Sequence, residues 1–112
     1  MDLTQSPEVQ LMCRYRLLQC ATRMRDRQSS LLHAYLLGEL LNQTIDHYQH
    51  GFLGNQLSLY YKQACMRTYY FFKQTGIEQI MRTKKTTLRS IAKLKANELR
   101  ILIGSQLMKL TD

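Results

Sequence analysis

Several residue types are scarce in this chain of 112 residues, which has no tryptophan, one proline and five glycines. So few turn-forming residues argue against a turn-rich all-β domain. The three cysteines, an odd number without close pairs, do not make a disulfide framework, and we therefore expect a reducing, cytoplasmic location. No apolar run approaches the roughly 20 residues of a membrane span, and no secretion-signal pattern opens the sequence. We therefore expect no membrane association.

Apolar residues recur at helical spacing, and the hydrophobic fraction of 45% is enough to form a core. Ser6-Pro7 marks a helix start because serine can cap free amides and proline is tolerated in the first turn. Ser29 and Ser30 offer a second start, and Gly76 suits a helix stop. The predicted helices span residues 7–27, 31–50, 56–75 and 87–110, with a short extra turn at 77–81.

Short connections between long helices favour antiparallel neighbours. The sequence therefore predicts an all-α fold, an antiparallel up-down four-helix bundle that forms one domain over residues 1–112. Thr86 or Thr87 is expected to cap the last helix. In the first helix the predicted core face is a row that we call the Cys13 row, formed by Cys13, Leu17, Cys20 and Met24. The predicted core faces of the other helices are Ala34, Leu37, Leu41, Ile45 and Tyr48; Leu57, Tyr61, Ala64, Thr68 and Phe71; and Leu88, Ala92, Leu99, Ile103 and Leu110.

Two helices carry more apolar surface than one bundle core needs. In the first helix the additional residues form a row that we call the Leu11 row, which consists of Leu11, Tyr15 and Leu18. In the last helix they are Leu94, Ile101 and Met108. Either these residues belong to a wide core, or they face a second copy or a partner protein, because an apolar row left in water is adhesive. On the second interpretation they are interface residues and the protein is a homo-oligomer.

Positive charge is segregated along the chain, which has 16 Lys and Arg against 8 Asp and Glu, a net charge of +8. Residues 28–61 contain no Lys or Arg, so the excess lies in the first helix and in 82–109. Arg89, Lys93 and Arg100 fall within about 40° of one another around an ideal helix. Such a stripe can follow phosphates or simply keep a basic protein soluble. The candidate nucleic-acid-binding residues are Arg23, Arg25, Arg27, Arg82, Lys84, Lys85, Arg89, Lys93 and Arg100.

Motifs for catalysis are missing, since the sequence has neither a nucleophile elbow nor a glycine-rich phosphate loop. Asp46, His47 and His50 lie along one helical edge, but a zinc site normally needs a fourth ligand. Cys13 and Cys20 are expected to pack as small hydrophobes. Tyr69 or Tyr70 could stack on bases, although aromatics at helical spacing are usually core. We therefore expect no enzymatic activity, no metal and no cofactor.

One segment supports a family resemblance. Residues 98–109, ELRILIGSQLMK, resemble the closing helix of the accessory variability proteins of diversity-generating retroelements, small basic four-helix bundles related in fold to proteins encoded by intervening sequences of ribosomal RNA genes. Residues 36–39 and the aromatic third helix are also similar to family members. The sequence departs from the pattern at Gln106, where members often have tryptophan, and at Arg100, near an expected glycine. The matching motif residues are Glu98, Gly104, Ser105 and Lys109.

The resemblance implies a specific function. Family members assemble as a ring-like homo-oligomer, typically a pentamer, bind the element's reverse transcriptase and template RNA, and support error-prone cDNA synthesis. It therefore implies that this protein binds nucleic acid, with RNA favoured over DNA, together with a reverse transcriptase. The alternative, which the charge pattern leaves open, is a non-enzymatic helical adaptor whose basic face docks on an acidic protein partner.

Overall fold

All the regular secondary structure in the described part of the chain is helical. The computed structural model describes residues 7–43, 59–94 and 97–98, and no strand occurs among them. The all-α prediction is therefore confirmed, while the up-down four-helix topology and the oligomer stay predictions. None of the described helices is long and apolar enough to cross a membrane. The helices are α1 (Pro7–Arg23), α2 (Arg27–Gln43), α3 (Leu59–Phe72), α4 (Gly76–Arg82) and α5 (Leu88–Ala92).

The break between α1 and α2 lies further toward the N-terminus than predicted. α1 ends at Arg23 rather than at residue 27, and α2 begins at Arg27 rather than at 31. The cap of α2 is Asp26, whose carboxylate oxygens accept hydrogen bonds from the Ser29 N–H (3.1 Å) and the Ser29 hydroxyl (2.8 Å). These bonds hold the pKa of Asp26 below its usual value. The helix therefore starts before the predicted cap residue Ser29, which lies in its first turn. The Ser29 amide has its partner in the side chain of Asp26, three residues earlier.

The second half of the described chain contains two short helices. α3 ends at Phe72, and the predicted extra turn at 77–81 forms a separate helix, α4. Gly76, predicted as a helix stop, begins α4 with a φ of +77°, a conformation that favours glycine. Thr87 caps α5 as predicted, because its hydroxyl accepts from the Ser90 N–H (3.0 Å). α5 ends at Ala92, and most of the rest of the predicted helix 87–110 lies outside the described residues.

α2 is the central helix, since it contacts each of the other four described helices. Of the predicted core residues of α2 and α3, Tyr61 is only half-buried and packs against the core, and the others that are described are buried: Ala34, Leu37, Leu41, Ala64, Thr68 and Phe71. Ile45, Tyr48 and Leu57 lie outside the described residues. The other large, fully buried side chains are Leu11, Leu18, Leu31, Phe72, Ile80 and Ile91.

The orientation of α1 is opposite to the prediction. In the Leu11 row, interpreted as either part of a wide core or an interface, Leu11 and Leu18 are 1% and 0% exposed, and Tyr15 packs edge-on against Tyr61, so the core interpretation holds for this row. The Cys13 row, predicted to be core, faces outward. Its members Leu17 and Met24 are 45% and 79% exposed, and Cys13 and Cys20 are exposed as well. The two rows have the same helical spacing, so periodicity alone cannot decide which of them faces the core.

α2 and α3 approach closely at Gly38. A Cβ atom at Gly38 would lie 2.8 Å from the carbonyl carbon of Cys65 and 2.8 Å from the Cβ of Tyr69. Both neighbours belong to α3, so a side chain at this position would have to push the two helices apart.

We expect Gly38→Ala to destabilise the protein by about 1–3 kcal/mol, because overpacking of the helix contact outweighs the roughly 1 kcal/mol by which alanine favours a helix. Denaturant unfolding measures the change. Gln63→Ala, at an exposed position of α3, is the control and should unfold at nearly the wild-type midpoint. A Gly38→Ala protein as stable as wild type would show that α2 and α3 are not in close contact here.

The three cysteines report the orientation of α1. We expect Cys13 and Cys20 to react with iodoacetamide in the native protein, and Cys65 to react only after unfolding. Cys65 is fully buried, and burial raises the pKa of its thiol to about 12, so it forms little of the reactive thiolate. Mass spectrometry of peptides from native and unfolded protein measures the labelling. Protection of Cys13 and Cys20 together with labelling of Cys65 would contradict this orientation.

Candidate nucleic-acid interface

Arg27 joins two segments that are far apart in the sequence. Its Nη1 donates to the Thr83 hydroxyl (2.8 Å) and the Thr86 carbonyl (3.0 Å), and its Nη2 donates to the Thr83 carbonyl (2.6 Å). Gln28 adds a bond from its Nε2 to the carbonyl of Met81 (2.7 Å). The first turn of α2 therefore holds the loop between α4 and α5 against the α1–α2 turn.

The same bonds give Arg27 a structural role, while its predicted contact with phosphate stays a prediction. Its side chain is half-buried, and both of its terminal nitrogens already donate to the 83–87 loop. A guanidinium that satisfies buried carbonyls would leave them without donors if it turned toward a ligand. Arg27 is therefore a positioning residue of the fold. Sequence analysis counted it as a free cation because its acceptors lie 56 and 59 residues further along the chain.

A cavity of about 200 Å³ opens where these segments meet. We call it the basic cleft. Two of the predicted phosphate-contacting residues, Arg25 from the α1–α2 turn and Arg89 from α5, lie in its wall and are exposed. Hydroxyl groups stand beside them, and no acid is among the residues that form the cavity. The lining residues are Thr22, Arg25, Arg27, Ser30, Thr87, Leu88 and Arg89.

Arg25 has a left-handed backbone conformation that favours glycine. The Arg25 N–H donates to the carbonyl of Thr22 and the Asp26 N–H to the carbonyl of Ala21, both at 3.1 Å, as in a Schellman motif. The φ of Arg25 is 55°, in the left-handed region, which costs a non-glycine residue about 1 kcal/mol or more. The turn alone thus disfavours arginine. What arginine provides here is a cation in the wall of the basic cleft.

The remaining predicted cations lie beside or beyond the cleft. Arg23 is exposed at the end of α1, and Lys93 is exposed just after α5. Arg82, Lys84 and Lys85 are exposed in the segment that leads from α4 to α5. Arg100 lies outside the described residues, as do the predicted interface residues Ile101 and Met108 and the candidate metal edge of Asp46, His47 and His50.

Arg67 performs a structural role that sequence analysis did not identify. Its Nη1 donates to the carbonyl of Ala92 (2.8 Å) and to that of Leu94, so it satisfies carbonyls at the end of α5. Leu94, a predicted interface residue, is half-buried and held by this bond. The sequence did contain a signal for this role, namely a single arginine within an aromatic helix. An arginine among buried aromatic residues is partly buried itself, and a half-buried cation needs hydrogen-bond partners.

The aromatic residues of α3 mostly pack within the fold. Tyr69 is half-buried, with its ring centroid 5.7 Å from that of Tyr35. Tyr70 is 39% exposed and donates its hydroxyl to Asn42 (3.2 Å), and the Nζ of Lys73 lies 5.0 Å from its ring centroid. Base stacking on either ring stays a prediction.

Comparison of the chain with protein-family models, with curated proteins and with solved structures finds no match. The family resemblance drawn from residues 98–109 therefore stays a prediction. Of its motif residues only Glu98 is described, and it is exposed. Gly104, Ser105, Gln106 and Lys109 lie outside the described residues.

The role of Arg27 is testable with a substitution that keeps its charge. We expect Arg27→Lys to lower the free energy of unfolding by about 1–3 kcal/mol, because a single ammonium cannot reproduce three bonds made by two nitrogens of a planar fork. Thermal unfolding measures the loss. Lys73→Arg, an exposed change of the same kind on α3, is the control. Wild-type stability of Arg27→Lys would show that Arg27 does not hold the loop.

Proposed function

We propose that this protein binds the phosphate backbone of a nucleic acid at the basic cleft. The observation that supports the proposal is the convergence of Arg25 and Arg89, from two basic segments of the sequence, on one cavity without an acid in its wall. Arginine can grip a phosphate with two parallel hydrogen bonds, and the hydroxyl of Thr87, which accepts from the Ser90 N–H, can donate to a remaining oxygen.

Neighbouring cations extend this surface beyond one phosphate. Lys84 and Lys85 stand exposed in the loop that Arg27 holds, and Lys93 is exposed one helical turn after Arg89. Contacts of this kind supply affinity that depends on salt and little on sequence. We therefore propose backbone binding without strong base preference.

The resemblance of residues 98–109 supplies the biological setting of the proposal. On that basis we propose that the nucleic acid is RNA or cDNA, with RNA favoured, and that the protein acts beside a reverse transcriptase in error-prone cDNA synthesis. A homo-oligomer, a pentamer if the resemblance holds, would repeat the basic cleft around a ring and multiply its contacts with one strand.

Arg25→Gly separates binding from folding. We expect this change to stabilise the protein by about 0.5–1 kcal/mol, because glycine adopts the left-handed conformation without strain. We expect the same change to weaken binding of a single-stranded RNA several-fold, because a cleft cation is lost. Thermal unfolding and fluorescence anisotropy with labelled RNA measure the two effects. Arg14→Gln, which removes an equal charge from the exposed middle of α1, should leave both values near wild type.

The salt dependence tests phosphate contact directly. Binding to a single strand changes with a slope of about 0.7 in log affinity against log salt for each phosphate neutralised, so Arg25→Gly with Arg89→Gln should reduce the slope by about 1.4. An unchanged affinity and slope in the double variant would overturn the proposal. If wild-type protein bound neither RNA nor single-stranded DNA, the adaptor alternative, with an acidic protein in the cleft, would replace it.

A further inference from the structure

The Cys13 row remains exposed on the side of α1 that faces away from the core. Cys13, Leu17, Cys20 and Met24 follow one another at intervals of four, three and four residues, which places them along a single stripe of the helix. Leu17 and Met24 are 45% and 79% exposed. A row of this spacing is what an α-helix presents to another helix in a coiled-coil seam.

The row borders a groove between α1 and α2. This α1–α2 groove encloses about 250 Å³ and is lined by Leu17, Cys20, Ala21, Met24, Asp26, Ser29 and His33. At His33 the Nδ1 atom is buried and has no hydrogen-bond partner among the described residues. Buried polar atoms without partners are uncommon in folded proteins. The groove therefore has largely apolar walls, and one of its lining residues, His33, has a buried ring nitrogen without a partner.

Positive charge lies along the other edge of the row. On an ideal helix, Arg16 and Arg23 stand about 70° and 90° from the centre of the Cys13 row, on the side opposite Ala21 and the groove. Both arginines are exposed, and the described residues give neither of them an ion pair. Arg16 makes only a long bond of 3.4 Å to Gln19. The occupant thus meets apolar atoms along its centre and two guanidinium groups along one edge.

A second copy of α1 does not complement this surface. An antiparallel pair would place the arginine edges of the two helices together, and a parallel pair would place that edge beside Arg14. Like charges at these flanking positions oppose helix pairing. The chain's own residues 99–110 are mostly apolar, but the charged residues among them, Arg100 and Lys109, are positive. This segment therefore does not complement Arg16 and Arg23 either. An anionic membrane is disfavoured because the row lacks the Trp and Phe typical of membrane-surface helices.

We propose that the Cys13 row and the α1–α2 groove bind an amphipathic helix of a partner protein that carries acidic residues along one edge. Leucine-type side chains of that helix cover Leu17, Cys20 and Met24, and its carboxylates pair with Arg16 and Arg23. Its opposite edge, over Ser29 and Asp26, carries neutral polar residues. This surface is separate from the basic cleft and does not depend on the proposed function.

A designed peptide tests the surface. The probe is a labelled helical peptide matched to the 17 residues of α1, with leucines at a and d positions, glutamates along one edge and glutamines along the other. A scrambled peptide of the same composition has no apolar stripe. We expect the patterned peptide to bind the full-length protein at least about tenfold more tightly than the scrambled one, a difference of about 1.4 kcal/mol.

Substitutions locate the binding. Leu17→Ser with Met24→Ser should weaken binding of the patterned peptide at least about tenfold and leave RNA binding unchanged. Both side chains are exposed, and a circular dichroism spectrum that matches wild type shows that the fold is retained. Arg16→Gln should weaken peptide binding and flatten its salt dependence, whereas Lys73→Gln, with an equal loss of charge on α3, should do neither. Alkylation of Cys20 should slow when the peptide is bound, with the buried Cys65 as internal reference.

Three results would overturn the proposal. Equal affinity for the patterned and scrambled peptides would show only nonspecific charge attraction. A wild-type homo-oligomer, measured under reducing conditions, that dissociates in the Leu17→Ser and Met24→Ser variant would identify a second copy as the occupant. Binding to phosphatidylserine vesicles that the same variant abolishes, without peptide binding, would identify a membrane. None of these results bears on the RNA measurements, so the two proposals fail independently.

Discussion

The hydrogen bonds from Arg27 to Thr83 and Thr86 are the constraint on which the basic surface depends. Core packing of Ile80 and Leu88 holds the two ends of the α4–α5 loop near α2, and the bonds from Arg27 fix the loop itself against the start of α2. The loop carries Lys84 and Lys85 and leads into Arg89, so its position decides whether the two cationic segments form one surface. A guanidinium with several donors at fixed angles can hold a loop by its carbonyls, which a lysine could do only through a single nitrogen.

The α1–α2 turn contains a strained residue, Arg25, followed directly by a helix cap, Asp26. Asp26 satisfies the first amides of α2 with one short side chain, while Arg25 takes a left-handed conformation that glycine would adopt more readily. The two sides of this turn face different surroundings. Thr22 and Arg25 line the basic cleft, and Ala21, Met24 and Asp26 line the α1–α2 groove. One tight turn therefore separates a cavity lined by three arginines from one whose wall contains Asp26 and no arginine.

The cap at Thr87 was predicted from its residue type. Helical periodicity predicted the fold class and most of the buried residues of α2 and α3. It failed for α1, where the Cys13 row and the Leu11 row have the same period and spacing cannot decide which one is buried. The end of α1 was missed because a Schellman motif is usually recognised in a sequence by its glycine, and here that position is occupied by Arg25. The basic segments were recognised from composition. Their convergence, and the structural roles of Arg27 and Arg67, depend on contacts between residues distant in sequence, which no local pattern encodes.

The positions of the thiols have a practical consequence for handling the protein. Because Cys13 and Cys20 are exposed on α1 and Cys65 is enclosed by α2 and α3, air oxidation will join molecules through α1 and through no other described element. Such a covalent dimer would bring two arginine-bearing helices together in an arrangement that their charges oppose. A band of doubled mass on a non-reducing gel would therefore record chemistry during storage rather than the native assembly.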